Sequence, residues 1–334
     1  MNKLTTYSLL AALLFLSTGS TTLAFQQDFY SFDAYNADEN VARNAEKIDT
    51  VLPQSYVFGR NLRLERISDG GVHEAAEEND VKIIPLVHQT DFDRTLMSVI
   101  LNIPKLQDLL IAQLVSEADK QNYDGWQYDF ENIAPGDKDL YTKFVERSAE
   151  KFDKADLEFS VAIVPRQADY REGIDDPNWS VGYDLEKIAK VADYVTLMAY
   201  DDPLSVGPTA SLPFAKKTVE YALTKAPAEK ISLGIPLYCW KWQLNNGYQR
   251  KNSITQPLNE EDQEEALLSI KKYNETLESE FWIFIPQSRN VLMTWCDGER
   301  GFDKKIDLVE EYNLRGFSAW AIGQETPKIW SRLD

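Results

Sequence analysis

Polar and aromatic residues alternate in one short stretch of the chain, residues 123–132 (YDGWQYDFEN). If this stretch is a β-strand, its side chains alternate between two faces, so Gln127, Asp129 and Glu131 share one face. The other face is aromatic and favours burial. Two carboxylates two residues apart raise each other's proton affinity, which is what a general acid requires. We therefore interpret Asp129 and Glu131 as catalytic carboxylates; the alternative is an edge strand with a solvated acidic face.

Composition excludes several classes of protein. The chain has 334 residues, 43% of them hydrophobic, and a formal net charge of −19. A globular protein with this charge is not expected to bind nucleic acid or an anionic membrane surface. Motifs for binding phosphate, dinucleotide or zinc are absent from the sequence, and the two histidines, His73 and His88, are not at ligand spacing, so we predict neither metal nor cofactor. Cys239 and Cys296 fit either one disulfide or two buried thiols.

The first 24 residues have the features of a signal peptide. Lys3 supplies a positive charge, residues 9–16 are apolar, and residues 22–24 (TLA) resemble a cleavage site. The apolar run is short for a transmembrane helix. We therefore expect a mature chain of residues 25–334 that is secreted or periplasmic, monomeric and not stably inserted in a membrane; an uncleaved anchor is the alternative.

Apolar strands alternate with helical segments along the rest of the chain. This pattern predicts an α/β fold, a (β/α)₈ TIM barrel. The predicted barrel strands are 29–32, 50–58, 81–87, 123–132, 159–164, 194–200, 231–237 and 316–322. The predicted helices include one or two over 96–121, broken after Pro104, and a last helix over 307–312. Residues 239–303 are too many for an ordinary connection. We predict a small α+β insertion there between strands 7 and 8, with a helix over 260–276 and strands over 281–285 and 290–295.

The carboxyl ends of barrel strands carry the active site in proteins of this fold. The residues predicted to lie there are polar or aromatic: His88, Gln89, Asp129, Glu131, Arg166, Gln167, Tyr200, Asp201, Tyr238, Trp240 and Trp320. Aromatic rings stack on sugar rings, whereas amides and carboxylates bind hydroxyl groups. We predict a carbohydrate site, with Trp320 either a platform for the sugar or plain barrel core, and Asp201 either a sugar ligand or a loop cap.

Several of these residues resemble one known family. The pattern Asp124-Gly125-x-x-x-Asp129-x-Glu131 resembles the strand-four signature of family-18 glycoside hydrolases, TIM barrels that act on N-acetylglucosamine-containing glycans. Residues 198–201 (MAYD) resemble the family's Met-x-Tyr-Asp on strand six, and Ala319-Trp320 its strand-eight tryptophan. The similarity extends over residues 28–326 and is nearest to the chitobiase and spore-cortex peptidoglycan hydrolase branches. One departure is Gln127, which stands where the family has an aspartate.

The resemblance implies a retaining, substrate-assisted hydrolysis. Its catalytic residues are Glu131 as general acid and base, Asp129 as the partner of the substrate's acetamido N–H, and Tyr200 as the group that orients the acetamido oxygen. Its substrate-binding residues are predicted to be Gln127, which bridges to Asp129, together with Trp320, Asp201, His88, Arg166 and Tyr238.

Two other functions remain open from the sequence. They are a non-catalytic, lectin-like glycan-binding protein on the same barrel, and a hydrolase for glycans without a 2-acetamido group. Within the favoured function the glycan is also open: chitin oligomers, peptidoglycan and the chitobiose core of N-glycans all contain the required sugar.

Overall fold

A computed structural model describes residues 25–169, 180–202, 206–244, 249–254, 266–286 and 290–333. The strands are β1 Gln26–Ser31, β2 Thr50–Phe58, β3 Leu64–Arg66, β4 Lys82–Ile83, β5 Leu86–Gln89, β6 Gly125–Tyr128, β7 Glu158–Ile163, β8 Tyr194–Leu197, β9 Ile231–Pro236, β10 Cys239–Gln243, β11 Gln249–Ile254, β12 Ala266–Asn274, β13 Ser279–Pro286, β14 Leu292–Cys296 and β15 Gly316–Trp320. The α-helices in this part of the chain are α1 Ala37–Asn44, α2 Val72–Glu78, α3 Arg94–Asn102, α4 Pro104–Gln121, α5 Lys138–Asp153, α6 Leu185–Val191, α7 Leu212–Leu223 and α8 Gly298–Glu311.

Eight parallel strands close into a barrel. Their order is β1-β15-β9-β8-β7-β6-β5-β2, and the pairing of β1 with β2 completes the circle. Helices connect successive strands, so the predicted (β/α)₈ TIM barrel is confirmed. The short strands β3 and β4 are additional partners of β2.

The aromatic face of β6 packs outward against the helices. Trp126, Tyr128 and Phe130 are fully buried in the large core between the strands and the helical layer. The Trp126 Nε1 donates to the carbonyl of Leu114 in α4 at 3.0 Å, and the ring of Tyr128 stacks on Phe144 of α5. Each such side chain contributes about 2–3 kcal/mol by burial. The predicted alternation of faces along this strand is therefore confirmed.

The inside of the barrel is polar at the level of Gln127. The hydroxyl groups of four strands meet there, and all of their residues are buried: Ser160, Thr196, Ser232 and Ser318. The Ser318 Oγ lies 2.7 Å from the Ser232 Oγ and 3.2 Å from the Thr196 Oγ1. These small side chains leave room for one long amide, which is Gln127.

The start of β6 is held by Asp124 and requires Gly125. The Asp124 Oδ2 accepts a hydrogen bond from the Ile83 main-chain N at 2.7 Å, so this carboxylate ties the entry of β6 to the preceding strand. A Cβ on Gly125 would lie 2.1 Å from the Glu158 carbonyl oxygen of β7. Because two strands approach so closely, a side chain at position 125 cannot be accommodated without moving one of them.

The insertion is a five-stranded antiparallel sheet in the order β11-β10-β14-β13-β12. A disulfide between Cys239 and Cys296 joins its first and last residues, with 4.4 Å between their Cα atoms. The predicted helix over 260–276 is wrong for residues 266–274, which form β12; residues 260–265 lie outside the described part of the chain. Pairing with β13 along eight residues decides this conformation, and a local helical pattern cannot reveal a partner distant in the fold.

Several boundaries also differ from prediction. The fourth barrel strand, predicted over 123–132, is only Gly125–Tyr128, and three other differences have a local cause or are large. The break in the long helical segment lies before Pro104, because proline suits the first turn of a helix and favours an extended residue ahead of it. The third barrel strand is divided into β4 and β5 around Pro85, which lacks an N–H for the ladder. The last barrel helix, α8, begins at Gly298, nine residues earlier than predicted.

No single helix within the described residues has the length and apolar character needed to cross a membrane. The pair α3 and α4 passes that test only together, and it is bent by 103° at Ile103. The predicted signal peptide, residues 1–24, lies outside the described residues.

Candidate active site at the carboxyl ends of the barrel strands

Asp129 and Glu131 lie just beyond the end of β6. The Asp129 main-chain N donates to the Val87 carbonyl of the neighbouring strand at 2.9 Å, and Glu131 follows two residues later. Asp129 is 4% exposed, whereas Glu131 is partly exposed. The buried Oδ1 of Asp129 has no hydrogen-bond partner among the described residues. An unpaired buried carboxyl oxygen is costly, and it leaves Asp129 with an acceptor that a ligand can use.

Burial raises the pKa of both carboxyl groups, and like charge adds to the rise at Glu131. Burial raises the pKa of Asp129. Burial raises the pKa of Glu131 as well, and the negative charges of Asp129 and Asp201 raise it further. Glu131 therefore holds its proton more tightly than an ordinary glutamate, because ionising it would place another negative charge beside two aspartates. A carboxyl group that remains protonated near neutral pH is able to act as a general acid.

Tyr200 and Asp201 enter the site from the end of β8. Burial raises the pKa of Tyr200, and the neighbouring Tyr30, Asp129, Asp201 and Glu131 add to that effect, so its hydroxyl stays protonated and lies close to both carboxyl groups. A Cβ on Gly234 would lie only 3.0 Å from the Tyr200 Cε1, so the glycine leaves the room that this ring occupies.

Tyr238 and Asp201 are joined directly. The Tyr238 hydroxyl donates a hydrogen bond to the Asp201 Oδ1. Asp201 is exposed and adopts a left-handed conformation with φ of 59°, and its main-chain N donates to the Thr209 carbonyl at 2.7 Å. These contacts hold Asp201 where its charge acts on Glu131.

Trp320 is a partly exposed aromatic residue at the end of β15. Its ring lies 5.1 Å from that of Tyr30 and 6.1 Å from that of Phe32, and it also contacts an aromatic cluster at the base of the insertion. That cluster comprises Tyr238, Trp240, Trp242 and Trp295. Trp320 therefore joins the barrel to the insertion and keeps part of its surface open.

Gln127 lies beneath the carboxylates and is fully buried. Its Nε2 donates to the Ser160 Oγ at 3.0 Å and the Thr196 Oγ1 at 3.3 Å, while its Oε1 accepts from the Tyr30 hydroxyl at 2.5 Å. The predicted bridge from Gln127 to Asp129 is therefore wrong, because the amide already has partners inside the barrel. Gln127 supports the floor of the site from below.

His88 and Arg166 stand at strand ends but have other neighbours. The His88 ring stacks on Phe92, and burial lowers its pKa. The Arg166 guanidinium lies 5.9 Å from the centre of the Tyr221 ring of α7, between the barrel and the outer helices. The structure does not bring either side chain against the two carboxyl groups, and their contact with substrate stays a prediction.

Three further residues support the site: Tyr30 and Tyr183, which the sequence did not indicate, and Gln89, which it placed at a strand end without a role. Tyr30 donates to Gln127, Gln89 donates to the Glu131 carbonyl at 2.6 Å, and Tyr183 donates to the Phe130 carbonyl at 2.9 Å. The position of Gln89 at a strand end was a usable signal. Tyr183 lies more than fifty residues from its partner, and no local pattern predicts that contact.

Together these features define a TIM barrel whose carboxyl-end site combines two buried carboxyl groups, an oriented tyrosine and a partly open tryptophan. This combination is typical of barrel enzymes that act on carbohydrates. The chain belongs to Glycosyl hydrolases family 18, whose sequence model matches residues 30–325.

Individual relatives agree with this assignment. The cortical fragment-lytic enzyme of Bacillus subtilis is 27% identical over 270 residues, which are 79% of this chain and 61% of that protein. The chain thus spans about three fifths of that relative's length. The crystal structure of the spore cortex-lytic enzyme SleL of Bacillus megaterium gives a TM-score of 0.82 at 23% identity, covering 92% of this chain and 73% of the other. A class V chitinase mutant from Nicotiana tobaccum in complex with NAG4 gives a TM-score of 0.76 at 16% identity, covering 92% and 97%.

Proposed function

We propose that this protein is an exported, retaining glycoside hydrolase that cleaves β-linked N-acetylglucosamine-containing glycans with the help of the substrate's own acetamido group. The observation that carries the proposal is the pair of buried carboxyl groups, Asp129 and Glu131, beside the Tyr200 hydroxyl. Both pKa values are raised, and no cation contributes to either shift. A pair that is left without a cation holds a proton in reserve, as acid catalysis requires.

The first half of the reaction breaks the glycosidic bond. Glu131 donates its proton to the glycosidic oxygen while the acetamido carbonyl oxygen of the same sugar attacks the anomeric carbon. The leaving sugar departs with the proton, and the attacking sugar becomes a cyclic, positively charged oxazolinium ion. The Asp129 carboxylate accepts the acetamido N–H and balances this charge, and the Tyr200 hydroxyl holds the acetamido group at the angle that the attack requires.

The second half restores both the sugar and the enzyme. The Glu131 carboxylate removes a proton from water, and the water oxygen attacks the anomeric carbon from the side that the leaving sugar vacated. The bond to the acetamido oxygen breaks, the acetamide is restored, and Glu131 regains its proton. Two inversions at one carbon give net retention. Because position 127 carries a neutral glutamine, it offers Asp129 no second carboxylate with which to share a proton.

Separate observations support export and the choice of sugar. The Cys239–Cys296 disulfide is typical of a protein that folds in an oxidising compartment, and residues 1–24 have the pattern of a signal peptide. The similar structures include a spore cortex-lytic enzyme and a class V chitinase in complex with NAG4, so amino-sugar glycans are the substrates that we propose here. A barrel with a partly open Trp320 offers a surface on which such a sugar can stack.

The proposal is tested by replacing Glu131 with glutamine. We expect kcat on N-acetylglucosamine oligomers to fall by about 10³-fold or more, since general acid catalysis contributes 10²–10⁴-fold, while Kd for the oligomer changes by less than about threefold. Glu78→Gln, an exposed carboxylate on α2, is the matched control and should leave both constants unchanged. Substantial hydrolysis by Glu131→Gln would contradict the assigned role.

Substrate and rival functions are separated by a product profile. Mass spectrometry on chitin oligomers, peptidoglycan strands and chitobiose-core N-glycans should show cleavage of at least one of them. Binding of all three without cleavage would instead support the lectin-like protein. A thiazoline mimic of the cyclised sugar should inhibit an acetamido-assisted enzyme strongly, whereas a hydrolase for sugars without that group has no reason to prefer its shape.

A further inference from the structure

Residues 130–132, the segment that contains Glu131, lie beyond the main-chain hydrogen bonds that pair β6 with its neighbouring strands. β6 pairs with β5 and β7 only as far as Tyr128, and within the described part of the chain its last main-chain bond runs from Asp129 to Val87. Residues 130–132, which contain Glu131, therefore cannot take their position from the sheet. A glutamate that transfers a proton must nevertheless be placed to within a fraction of an ångström.

Three side chains from other elements bind the carbonyl groups of this segment. The Tyr183 hydroxyl donates to the Phe130 carbonyl at 2.9 Å. The Gln89 Nε2 donates to the Glu131 carbonyl at 2.6 Å, and the Arg94 Nε lies 3.3 Å from the Asn132 carbonyl. Each successive carbonyl thus receives a donor that a neighbouring strand would otherwise provide.

Gln89 is the member of this set that acts on Glu131 itself. It is fully buried at the end of β5, so it has no surface on which to contact a substrate. The orientation of its amide follows from its partner, because a carbonyl oxygen requires the N–H side. Its Oε1 is buried without a partner among the described residues, so holding Glu131 costs the fold an unpaired acceptor.

We propose that Gln89 is a positioning residue for the general acid: its amide fixes the main chain of Glu131 and thereby holds the carboxyl group at the depth and angle that proton transfer requires. This inference rests on the role proposed above for Glu131. Arg94 secures the next residue from outside, since its guanidinium also donates to the Asn132 Oδ1 at 2.6 and 3.0 Å.

The test compares Gln89→Met with Gln107→Met. Gln107 is a matched control, a nearly buried amide whose Nε2 donates to the Leu101 carbonyl at 2.9 Å in the helical layer. We expect Gln89→Met to lower kcat by about 10- to 100-fold with KM changed less than about threefold, because a displacement near 1 Å is enough for such a loss. Gln107→Met should cost similar stability and leave kcat unchanged.

The pH profile distinguishes positioning from general loosening. Burial and two aspartates raise the pKa of Glu131, so a carboxyl group that moves toward water should lose part of that shift. The alkaline limb of kcat in Gln89→Met should therefore move to lower pH, since the acid is active only while protonated. An unchanged limb together with unchanged kcat would overturn the inference.

A second variant keeps the test valid if Gln89→Met does not fold. Arg94→Met removes an exposed anchor that the core does not need, and we expect kcat to fall by about three- to tenfold with the melting temperature nearly unchanged. Wild-type kcat in Arg94→Met would contradict the inference. Failure of the proposed function is recognised separately, because in that case either the wild type cleaves none of the three glycans or Glu131→Gln itself remains active.

Discussion

The two ends of the barrel each bury carboxyl groups, and they treat them differently. Near the amino ends of the strands, the fully buried Asp28 forms an ion pair with Arg315 at 2.6 Å, and the Arg315 guanidinium also lies 3.6 Å from the centre of the Tyr194 ring. At the carboxyl ends, by contrast, no cation among the described residues contributes to the pKa shift of Asp129 or Glu131.

We interpret this difference as one between a carboxyl group that serves the fold, Asp28, and two that serve the chemistry proposed above, Asp129 and Glu131. Burial raises the pKa of Asp28 to about 6 although Arg315 opposes that rise. The pKa of Arg315 is raised as well: burial lowers it, but Asp28, Tyr194 and Glu158 together raise it by more. A buried charge that serves the fold requires a compensating cation. Because no cation among the described residues compensates Asp129 or Glu131, this pair keeps a proton available for the catalysis proposed above.

The largest effect on stability should come from breaking the Asp28–Arg315 ion pair near the amino ends of the barrel strands. Arg315→Met leaves Asp28 buried without its cation, and we expect a loss of about 3–5 kcal/mol in the free energy of unfolding. Urea denaturation measures this loss. It should be greater at pH 8 than at pH 5, since Asp28 can take up a proton at the lower pH.

Two controls sharpen this prediction. Arg332→Met removes a more exposed arginine that pairs with Glu310 at 3.0 Å, and it should cost no more than about 1 kcal/mol. Adding Asp28→Asn to Arg315→Met should recover part of the lost stability. Equal losses for the two arginine variants would show that the buried pair contributes no more than a surface pair.

The second-largest effect is expected on activity, at the carboxyl ends of the barrel strands. In the mechanism that we propose, Asp129→Asn removes the charge that balances the oxazolinium ion, so we expect kcat to fall by about 10²–10³-fold. Its free energy of unfolding should not fall and is expected to rise, because a neutral amide is easier to bury than an unpaired carboxylate. Loss of stability with retained kcat would make Asp129 a structural residue like Asp28.

The third prediction concerns stability and pH. A carboxyl group with a raised pKa in the folded state keeps a proton that the unfolded chain releases, so it stabilises the fold fully only below the ordinary carboxyl pKa of about 4. That contribution is lost as the pH rises through the raised pKa. Stability of the wild type should therefore decrease from pH 5 to pH 8 in thermal denaturation.

Substitution identifies the group responsible. Asp129→Asn should flatten this decrease, whereas Asp119→Asn, an exposed residue on α4, should leave the slope unchanged. A wild-type curve that rises with pH over the same range would contradict the assigned shifts.

These comparisons also show how far the sequence predicts the molecule. The alternation of Trp126, Tyr128 and Phe130 with Gln127 and Asp129 predicts a strand, its buried aromatic face and its polar face, because side chains alternate strictly within a strand. The observed strand, Gly125–Tyr128, is shorter than the predicted 123–132. That rule ends with the strand. Arg166 follows the end of β7, and its direction toward Tyr221 depends on the packing of α7, which no local pattern specifies.

Long-range partners account for the other differences. The strand β12 was predicted as a helix because only its pairing with β13 makes it extended. The bonds of Gln127 to Tyr30, Ser160 and Thr196 join four barrel strands, and the sequence carries no mark of which hydroxyl groups will meet it. The two cysteines left both alternatives open until the fold placed them together.

The smallest effect is expected from the hydrogen bonds between uncharged groups around Gln127, below the two carboxyl groups. Tyr30→Phe removes the donor to the Gln127 Oε1 and leaves the bonds from Gln127 to Ser160 and Thr196 in place. We expect a loss of about 1 kcal/mol in urea denaturation and a change in kcat of less than about threefold. A neutral hydrogen bond thus costs far less to remove than the cation of Asp28, because no uncompensated charge remains.

Tyr128→Phe is the matched control for this last comparison. The Tyr128 hydroxyl donates to the Ser148 Oγ at 3.0 Å on the outer side of the same strand, so its removal should cost similar stability and leave kcat unchanged. A fall of about 100-fold in kcat for Tyr30→Phe alone would mean that hydrogen bonds inside the barrel determine the position of Asp129 and Glu131. Gln127 and its hydrogen-bond partners would then be part of the catalytic site, and only residues nearer the amino ends of the strands would be purely structural.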